Sequence, residues 1–351
     1  MSSTTPRPRR AATLTAAFAV LTVLVAVAAL FSAMLGQFEI PPSQVLGSLG
    51  RRVGLLDPDQ SARLADATLW NIRFPRIVLG LMVGASLSSA GAVMQAVFGN
   101  PLAEPGVIGI SSGAAVGACG AIVLGLSFLG IFTLPFVAFL GALLTTLVVY
   151  MLSRQGGKAG VLTMILTGIA VTAVANALIA VMVFLADDTS RDQIVFWQMG
   201  SLNGSTWRAV AAAGPVILMG LLGCLAAARQ LDLLALGERA AQHSGVHVER
   251  LRILAISCTA LLTGAAVAFS GIIAFIGLIV PHVLRMIVGP SNRVLLPASA
   301  LGGALLIAVS DLAARSLVPF ADLPIGIFTA LMGGPTFFLL IRRTLRKGAV
   351  L

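Results

Sequence analysis

What this sequence has least of is charge. Aspartate, glutamate, lysine and arginine make up 10% of its 351 residues, against about 25% in ordinary soluble domains. With 58% of residues hydrophobic and a mean hydropathy of +1.00, no soluble fold could cover the apolar surface, so most of the chain is expected in lipid. Histidine is nearly as scarce, at positions 243, 247 and 282 only. His243 and His247 are spaced as two metal ligands on one helix face would be, but Gly245 lies between them and no glutamate completes an H-E-x-x-H pattern. They read as a solvated loop pair, and His282, beside Pro281, has no acid near it. Cys119, Cys224 and Cys258 all lie in apolar stretches and no C-x-x-C occurs, so they read as small buried hydrophobes rather than a disulfide framework or metal site. No G-x-S-x-G is present. Lys158 follows Gly156 and Gly157 but is succeeded by Ala159, so no phosphate-binding G-x-x-x-x-G-K-[ST] loop exists either. A membrane-embedded enzyme has no support, and the chain cannot hydrolyse ATP by that route. The net charge of +10 would suggest nucleic acid on a soluble protein; in lipid it asks first for a topological reading.

What the sequence does have is a succession of apolar segments, near 11–35, 74–98, 108–128, 131–152, 160–186, 209–228, 252–270, 272–288, 295–315 and 324–341. The first, behind Arg7, Arg9 and Arg10, exceeds the roughly 7–15 residues of a signal-peptide core and reads as a true span. The run 252–288 would make a helix of about 55 Å, against a hydrocarbon core of about 30 Å. It is therefore divided at Ser270 and Gly271, with 272–288, which contains Pro281, the segment best suited to being partly re-entrant. The expectation is an all-α polytopic membrane protein of about ten transmembrane helices. It forms one domain over 1–351: a cytoplasmic tail 1–10, a helix bundle 11–341 with a cytoplasmic loop 229–252, and a cytoplasmic tail 342–351. With both termini inside, most lysines and arginines fall on the inner side, as the positive-inside tendency requires. Arg51, Arg52, Arg63, Arg73 and Arg76, in or beside the outer loop 36–73, break that trend.

An internal repeat is visible at an offset of 180. Leu81, Gly84, Ala85, Gly91, Pro101, Gly109 and Ser111 match Leu261, Gly264, Ala265, Gly271, Pro281, Gly289 and Ser291. The two copies would enter the membrane from opposite sides, an inverted repeat of the kind transporters use to frame a pathway; chance matching in a Gly/Ala-rich chain is the alternative. Gly80, Gly84, Ser88 and Ala92 make a small-residue face for close helix packing. The segment 99–113 holds too many prolines and glycines for a continuous helix, with Ser111 or Ser112 available to cap the next one. It is either irregular backbone lining a cavity or a plain tight turn. Asp311 and Arg315, four apart near the end of a span, can pair. No carboxylate or histidine sits at a midplane position, which counts against an ion-coupled secondary transporter, the main rival class. The loop 229–252 carries Leu231, Leu233, Leu234 and Leu236 amid charge, and Gly237 and Gly245 divide it into short helical pieces. It reads as a docking surface for a soluble protein.

Several runs together resemble a known family. They are Arg73–Arg76 (RFPR), Gly91–Gln95 (GAVMQ), Asn100–Gly109 (NPLAEPGVIG), Phe196–Ser201 (FWQMGS), Leu234–Glu238 (LALGE), Gly271–Arg285 (GIIAFIGLIVPHVLR), Leu296–Ala300 (LPASA) and Asp322–Ala330 (DLPIGIFTA). In order and spacing they resemble the FecCD-type permeases of ATP-binding-cassette importers for ferric siderophores, haem and cobalamin. The resemblance covers nearly all of the chain after residue 70. It implies ten helices, a homodimer whose axis forms the pathway, two ATPase subunits inside that hold ATP and magnesium, and an extracytoplasmic substrate-binding protein. It implies no cofactor on this chain, no nucleic-acid partner, and a place in the bacterial inner membrane. By the same resemblance Arg73, Arg76 and Arg315 dock the binding protein, although snorkelling to headgroups is the competing reading for the first two. Leu234, Gly237 and Glu238 contact the ATPase, Gly160, Val161 and Leu162 form an inner gate, and Thr172 and Asn176 line the path. For Asn176 an ordinary interhelical hydrogen bond is the alternative. The runs 200–207 (GSLNGSTW) and 333–338 (GGPTFF) are most similar to haem permeases, which makes haem the expected cargo and a ferric siderophore or cobalamin the alternative.

Overall fold

The structure, a computed structural model, describes residues 7–57, 59–156, 158–318 and 322–348. The outermost parts of both expected tails, 1–6 and 349–351, lie outside the described residues. The chain begins with a long helix, α1 (Arg7–Met34), followed by two short ones, α2 (Pro42–Arg52) and α3 (Arg63–Thr68). A π-helical turn over Leu69–Arg73 leads into α4 (Phe74–Phe98). After a 3-10 turn at Pro105–Ile108 come α5 (Ile110–Val123) and α6 (Thr133–Leu152). A two-residue hairpin, β1 (Arg154–Gln155) with β2 (Lys158–Ala159), joins α6 to α7 (Val161–Leu185). Then follow α8 (Asp188–Met199), α9 (Trp207–Leu234), α10 (Glu238–His243) and α11 (Val248–Ser270). The last helices are α12 (Ile276–Val288), α13 (Asn292–Ser316) and α14 (Ile325–Gly348).

Among the described residues, seven helices are long and apolar enough to cross a membrane: α1, the α3–α4 run, α6, α7, α9, α11 and α13. Three shorter apolar helices, Ile110–Val123, Ile276–Val288 and Ile325–Leu339, bring the set to the ten expected. The break inside 252–288 falls where the glycine placed it. Gly271 takes φ +67° and ends α11, residues 272–275 are irregular, and Phe275, at φ +68°, starts α12. At 1.5 Å per residue α12 is only about 20 Å long, shorter than the hydrocarbon core.

The bundle is built around α4 and α11, whose surfaces are mostly buried, while few residues of α1 and α7 are fully buried. The small-residue face of α4 explains its central place. A methyl group on Gly84 would lie 2.2 Å from the Gly303 carbonyl oxygen, and one on Gly91 only 1.8 Å from that of Gly277. Bare glycines therefore let α4 meet α13 and α12 backbone to backbone. The offset of 180 pairs Gly84 with Gly264 inside α4 and α11. Beyond them the matched positions part: Gly91 is inside α4 whereas Gly271 ends α11, and Pro101 lies in a turn whereas Pro281 is inside α12.

Two local expectations need correction. Helix α9 runs on to Leu234, so the connector drawn at 229–252 is shorter than expected and begins as helix. The residue preceding α5 is Gly109 at φ +76°, not a serine; Ser112 lies in the first turn and donates to the Gly109 carbonyl at 3.0 Å. Helix α8 is capped by Asp187, whose carboxylate accepts from the Ser190 amide at 2.7 Å.

Candidate functional site

Two polar clusters mark opposite ends of the bundle. Helix α13 connects them: its N-terminal Asn292 donates its amide to Asp232 near the end of α9, and its last turn carries Asp311 and Arg315.

At the α13 C-terminal end, Arg73, Arg76 and Arg315 are brought together as expected, but inward. All three are buried. Helix α1 ends here, leaving carbonyl groups without helical partners, and two arginines satisfy them. Arg73 donates to Met34 O at 2.9 Å and also to Ala33 O and Phe38 O. Arg315 donates to Leu35 O at 2.7 Å, to Ser32 Oγ at 2.7 Å and to Ser32 O. Cations at a helix C-terminus also complement its dipole. Gly36 sits between the two guanidinium groups; a methyl on it would lie 3.0 Å from Arg73 and 3.1 Å from Arg315. Arg76 instead spans two carboxylates, with Nε to Asp311 Oδ1 and Nη1 to Asp322 Oδ2, each 2.9 Å. Asp311, itself only 3% exposed, also faces Arg315 at 3.5 Å, the i, i+4 pair read from the sequence. Each of the three arginines is engaged within its own chain. Asp322, present in the run 322–330, went unrecognised as the partner of Arg76, because the two are 246 residues apart. Beside this cluster a cavity of about 600 Å³ opens between α8, the 200–206 turn and the end of α11, lined by Phe196, Trp197, Asn203, Thr206 and Phe269 among others.

The opposite end gathers the end of α9, α10, the start of α11, the β-hairpin and the start of α7. The leucine edge expected over 231–236 does not survive as a surface. Because α9 continues through it, Leu231 and Leu234 turn into the core. Leu236, at 73% exposed, is the one that faces outward. Gly237 takes φ +110° at the start of α10, a conformation that favours glycine, and Glu238 is the first residue of that helix. Glu238 is ion-paired to Arg252, a residue the sequence reading did not single out. His243 ends α10 and His247 precedes α11, so they share no helix face, and no cluster of metal-ligating side chains occurs among the described residues.

Between the two ends runs α7. Gly160 precedes it, Val161 is half-buried and Leu162 is exposed, followed along the helix by exposed Leu166, Ile169 and Asn176. Asn176 has no side-chain hydrogen bond among the described residues, so the interhelical bond is not made within this chain. Thr172 is half-buried and bonds Ser112 of α5 at 3.2 Å. Gly168 lets α7 approach the irregular segment 99–109; a methyl there would lie 2.0 Å from the Val107 carbonyl oxygen. The part of that segment from 103 to 109 is thus packed against protein, while 99–101 are exposed; packing against protein is one of the two conditions under which broken backbone persists at membrane depth.

Small-residue packing, broken helices and ion-paired ends together describe a polytopic helical membrane protein. The chain belongs to the FecCD transport family, whose model matches residues 23–343. Among curated relatives it is similar to the hemin transport system permease of Yersinia pestis, 42% identical over 281 residues, covering 78% of this chain and 83% of that one. It is 44% identical to the cobalamin import system permease of Halobacterium salinarum over 280 residues, covering 79% and 74% of the two chains. With the vitamin B12 import system permease of Klebsiella pneumoniae it shares 36% identity over 328 residues, covering 93% and 94%. A solved structure described as an inward-facing conformation of a metal-chelate type ABC transporter superposes with a TM-score of 0.82 at 33% identity, covering 94% of this chain and 99% of that one.

Proposed function

We propose that this chain is the membrane permease of an ATP-driven importer whose cargo is haem. The observation that carries the importer reading is the family match over residues 23–343, together with structural likeness over 94% of the chain; haem as cargo is supported by the 42% identity to a hemin permease. Two copies form the pathway along their common axis, with α7 contributing Asn176 and the gate residues Gly160, Val161 and Leu162. Its exposure in the single chain supports a role at an interface. The end bearing α10 faces the cytoplasm, as do both termini, and receives two ATPase subunits that carry ATP and magnesium. Arg154, Arg229, Arg239 and Arg250 gather there, in line with the positive-inside tendency. Gly237 and Glu238 form the contact, with Leu236 taking the part expected of Leu234.

The arginine end faces outward and receives a substrate-binding protein. Because Arg73, Arg76 and Arg315 are already engaged, acidic groups on that protein would have to exchange with Asp311, Asp322 and the α1 carbonyls. The docking contact is then competitive with contacts inside the permease, and salt weakens it. Cobalamin is the second reading for cargo, supported by the 44% identity to a cobalamin permease. The test is ATP hydrolysis and uptake by the complete complex in liposomes, with binding protein loaded in turn with haem, a ferric siderophore and cobalamin. Stimulation and luminal accumulation with haem alone are expected. Stimulation by another cargo alone replaces haem, and failure of any ATPase to copurify removes the importer reading.

A further inference from the structure

Arg252 occupies a place that no role described so far requires. It lies in the first turns of α11, is 3% exposed, and holds three separate pieces of chain. Its Nη2 pairs with Glu238 at the start of α10. Its Nη1 pairs with Glu249 at 3.1 Å and donates to the Ala159 carbonyl oxygen at 2.7 Å. Ala159 is the last residue of the hairpin, directly before Gly160 and the start of α7. Glu249 in turn accepts from the Tyr150 hydroxyl at 2.5 Å, which brings in the end of α6 on the other side of the same hairpin.

The chemistry of the side chain suits this position. A guanidinium presents donors in a rigid planar fork, so three acceptors are held at fixed angles to one another; a lysine ammonium could keep the charge but not the fork. The arrangement is also asymmetric. Glu238 has 55% of its side chain exposed on the surface of α10, while the Ala159 carbonyl is inside the protein. A displacement applied to α10 from outside therefore reaches the hairpin through one buried group. Arg252 Nε, buried, has no hydrogen-bond partner among the described residues, so the group is held through its two Nη atoms alone.

We propose that Arg252 is a positioning residue that transmits movement of α10 to the chain entering α7, and so couples the ATPase-contacting helix to the gate at 160–162. The inference rests on the importer reading. It concerns a defined two-state contact rather than a diffuse pathway: Glu238 and Ala159 either share one guanidinium or do not.

The experiment uses the complete complex in liposomes, with Leu162→Cys as a reporter for maleimide labelling. Leu162 is exposed, whereas Cys119, Cys224 and Cys258 are buried and contribute little background. With Arg252 intact, labelling is expected to change rate when ATP and vanadate are added. In Arg252→Gln that response, and the cargo moved per ATP hydrolysed in the complex without the reporter, are expected to fall about tenfold. Arg252→Lys should be intermediate, since it keeps one ion pair without the fork. A full response and full cargo per ATP in Arg252→Gln overturn the proposal. Should that variant fail to assemble, Arg252→Lys decides: intermediate coupling supports the proposal and wild-type coupling overturns it. A reporter that ignores nucleotide with Arg252 intact, in a complex that hydrolyses ATP and moves cargo, removes the gate from 160–162 and overturns the proposal, whereas a complex with no ATPase bound overturns the importer reading beneath it.

Discussion

Replacing Asp311 by asparagine should unbalance the most buried ionic cluster in the chain. The cluster contains Arg73, Arg76 and Arg315 against Asp311 and Asp322, a surplus of one positive charge. The substitution is nearly isosteric and keeps an acceptor at Oδ1 for the 2.9 Å bond from Arg76 Nε, so what it removes is charge. Arg76 keeps Asp322 at 2.9 Å, but Arg315 loses its only carboxylate among the described residues. Removing one partner of a buried ion pair typically costs about 3–5 kcal/mol. The retained acceptor and the half-exposed Asp322 place this case near the lower end, about 3 kcal/mol, or roughly a hundredfold in the folding equilibrium. At about 2 °C per kcal/mol for a chain of this size, the midpoint should fall about 6 °C. The assay is thermal unfolding of the detergent-solubilised permease followed by tryptophan fluorescence. The double variant Arg76→Met, Asp311→Leu should lose less than Arg76→Met and Asp311→Leu added together, because each single change strands the other member of the 2.9 Å Arg76–Asp311 pair and the double change removes both. Melting of Asp311→Asn within about 1 °C of the unaltered protein would refute the reasoning, since the buried charges would then be balanced by something other than Asp311.

Other outcomes follow from equally specific contacts. Gly91→Ala places a methyl 1.8 Å from the Gly277 carbonyl oxygen, so it should destabilise by about 3 kcal/mol. Gly120→Ala, which meets only the end of Met182 at 3.8 Å, should be neutral or slightly stabilising by the same thermal assay. Burial pushes the Glu104 carboxyl, in the turn between α4 and α5, above its ordinary range. The folded state therefore holds that proton more tightly than the unfolded chain, and its contribution to stability is lost as pH rises through the raised value. Glu104→Gln should accordingly melt higher than the unaltered protein at pH 8, and the gap should close as pH falls below the ordinary glutamate range. Leu236→Glu, which charges the exposed leucine ahead of α10, should reduce copurification of the ATPase about tenfold or more without lowering the permease midpoint; unchanged copurification would remove Leu236 from the contact.

The membrane spans were legible in the sequence because transfer into lipid depends on composition over a window of about 20 residues, a local property. Even the division at Ser270 and Gly271 could be read, from length and one glycine. The small-residue face of α4 was legible too, since helical spacing alone aligns Gly80, Gly84 and Ser88. The ends of helices were harder. The leucines at 231, 234 and 236 look alike as a string. Whether α9 continues past residue 228 decides which of them is buried, and that depends on packing against α11.

By itself, then, the sequence determined that the chain lives in lipid as about ten helices, where it breaks and which faces pack closely. Only tertiary structure decided what its arginines do. Arg76 meets Asp311 and Asp322 across more than two hundred residues, Arg315 caps the end of a helix 280 residues earlier, and Arg252 reaches a carbonyl 93 residues away. No periodicity in the sequence encodes such pairs. A long, charged side chain in a low-dielectric interior takes whichever acceptors the packing of other helices delivers, and those helices are placed by the burial of apolar surface and close backbone contact rather than by the arginines themselves.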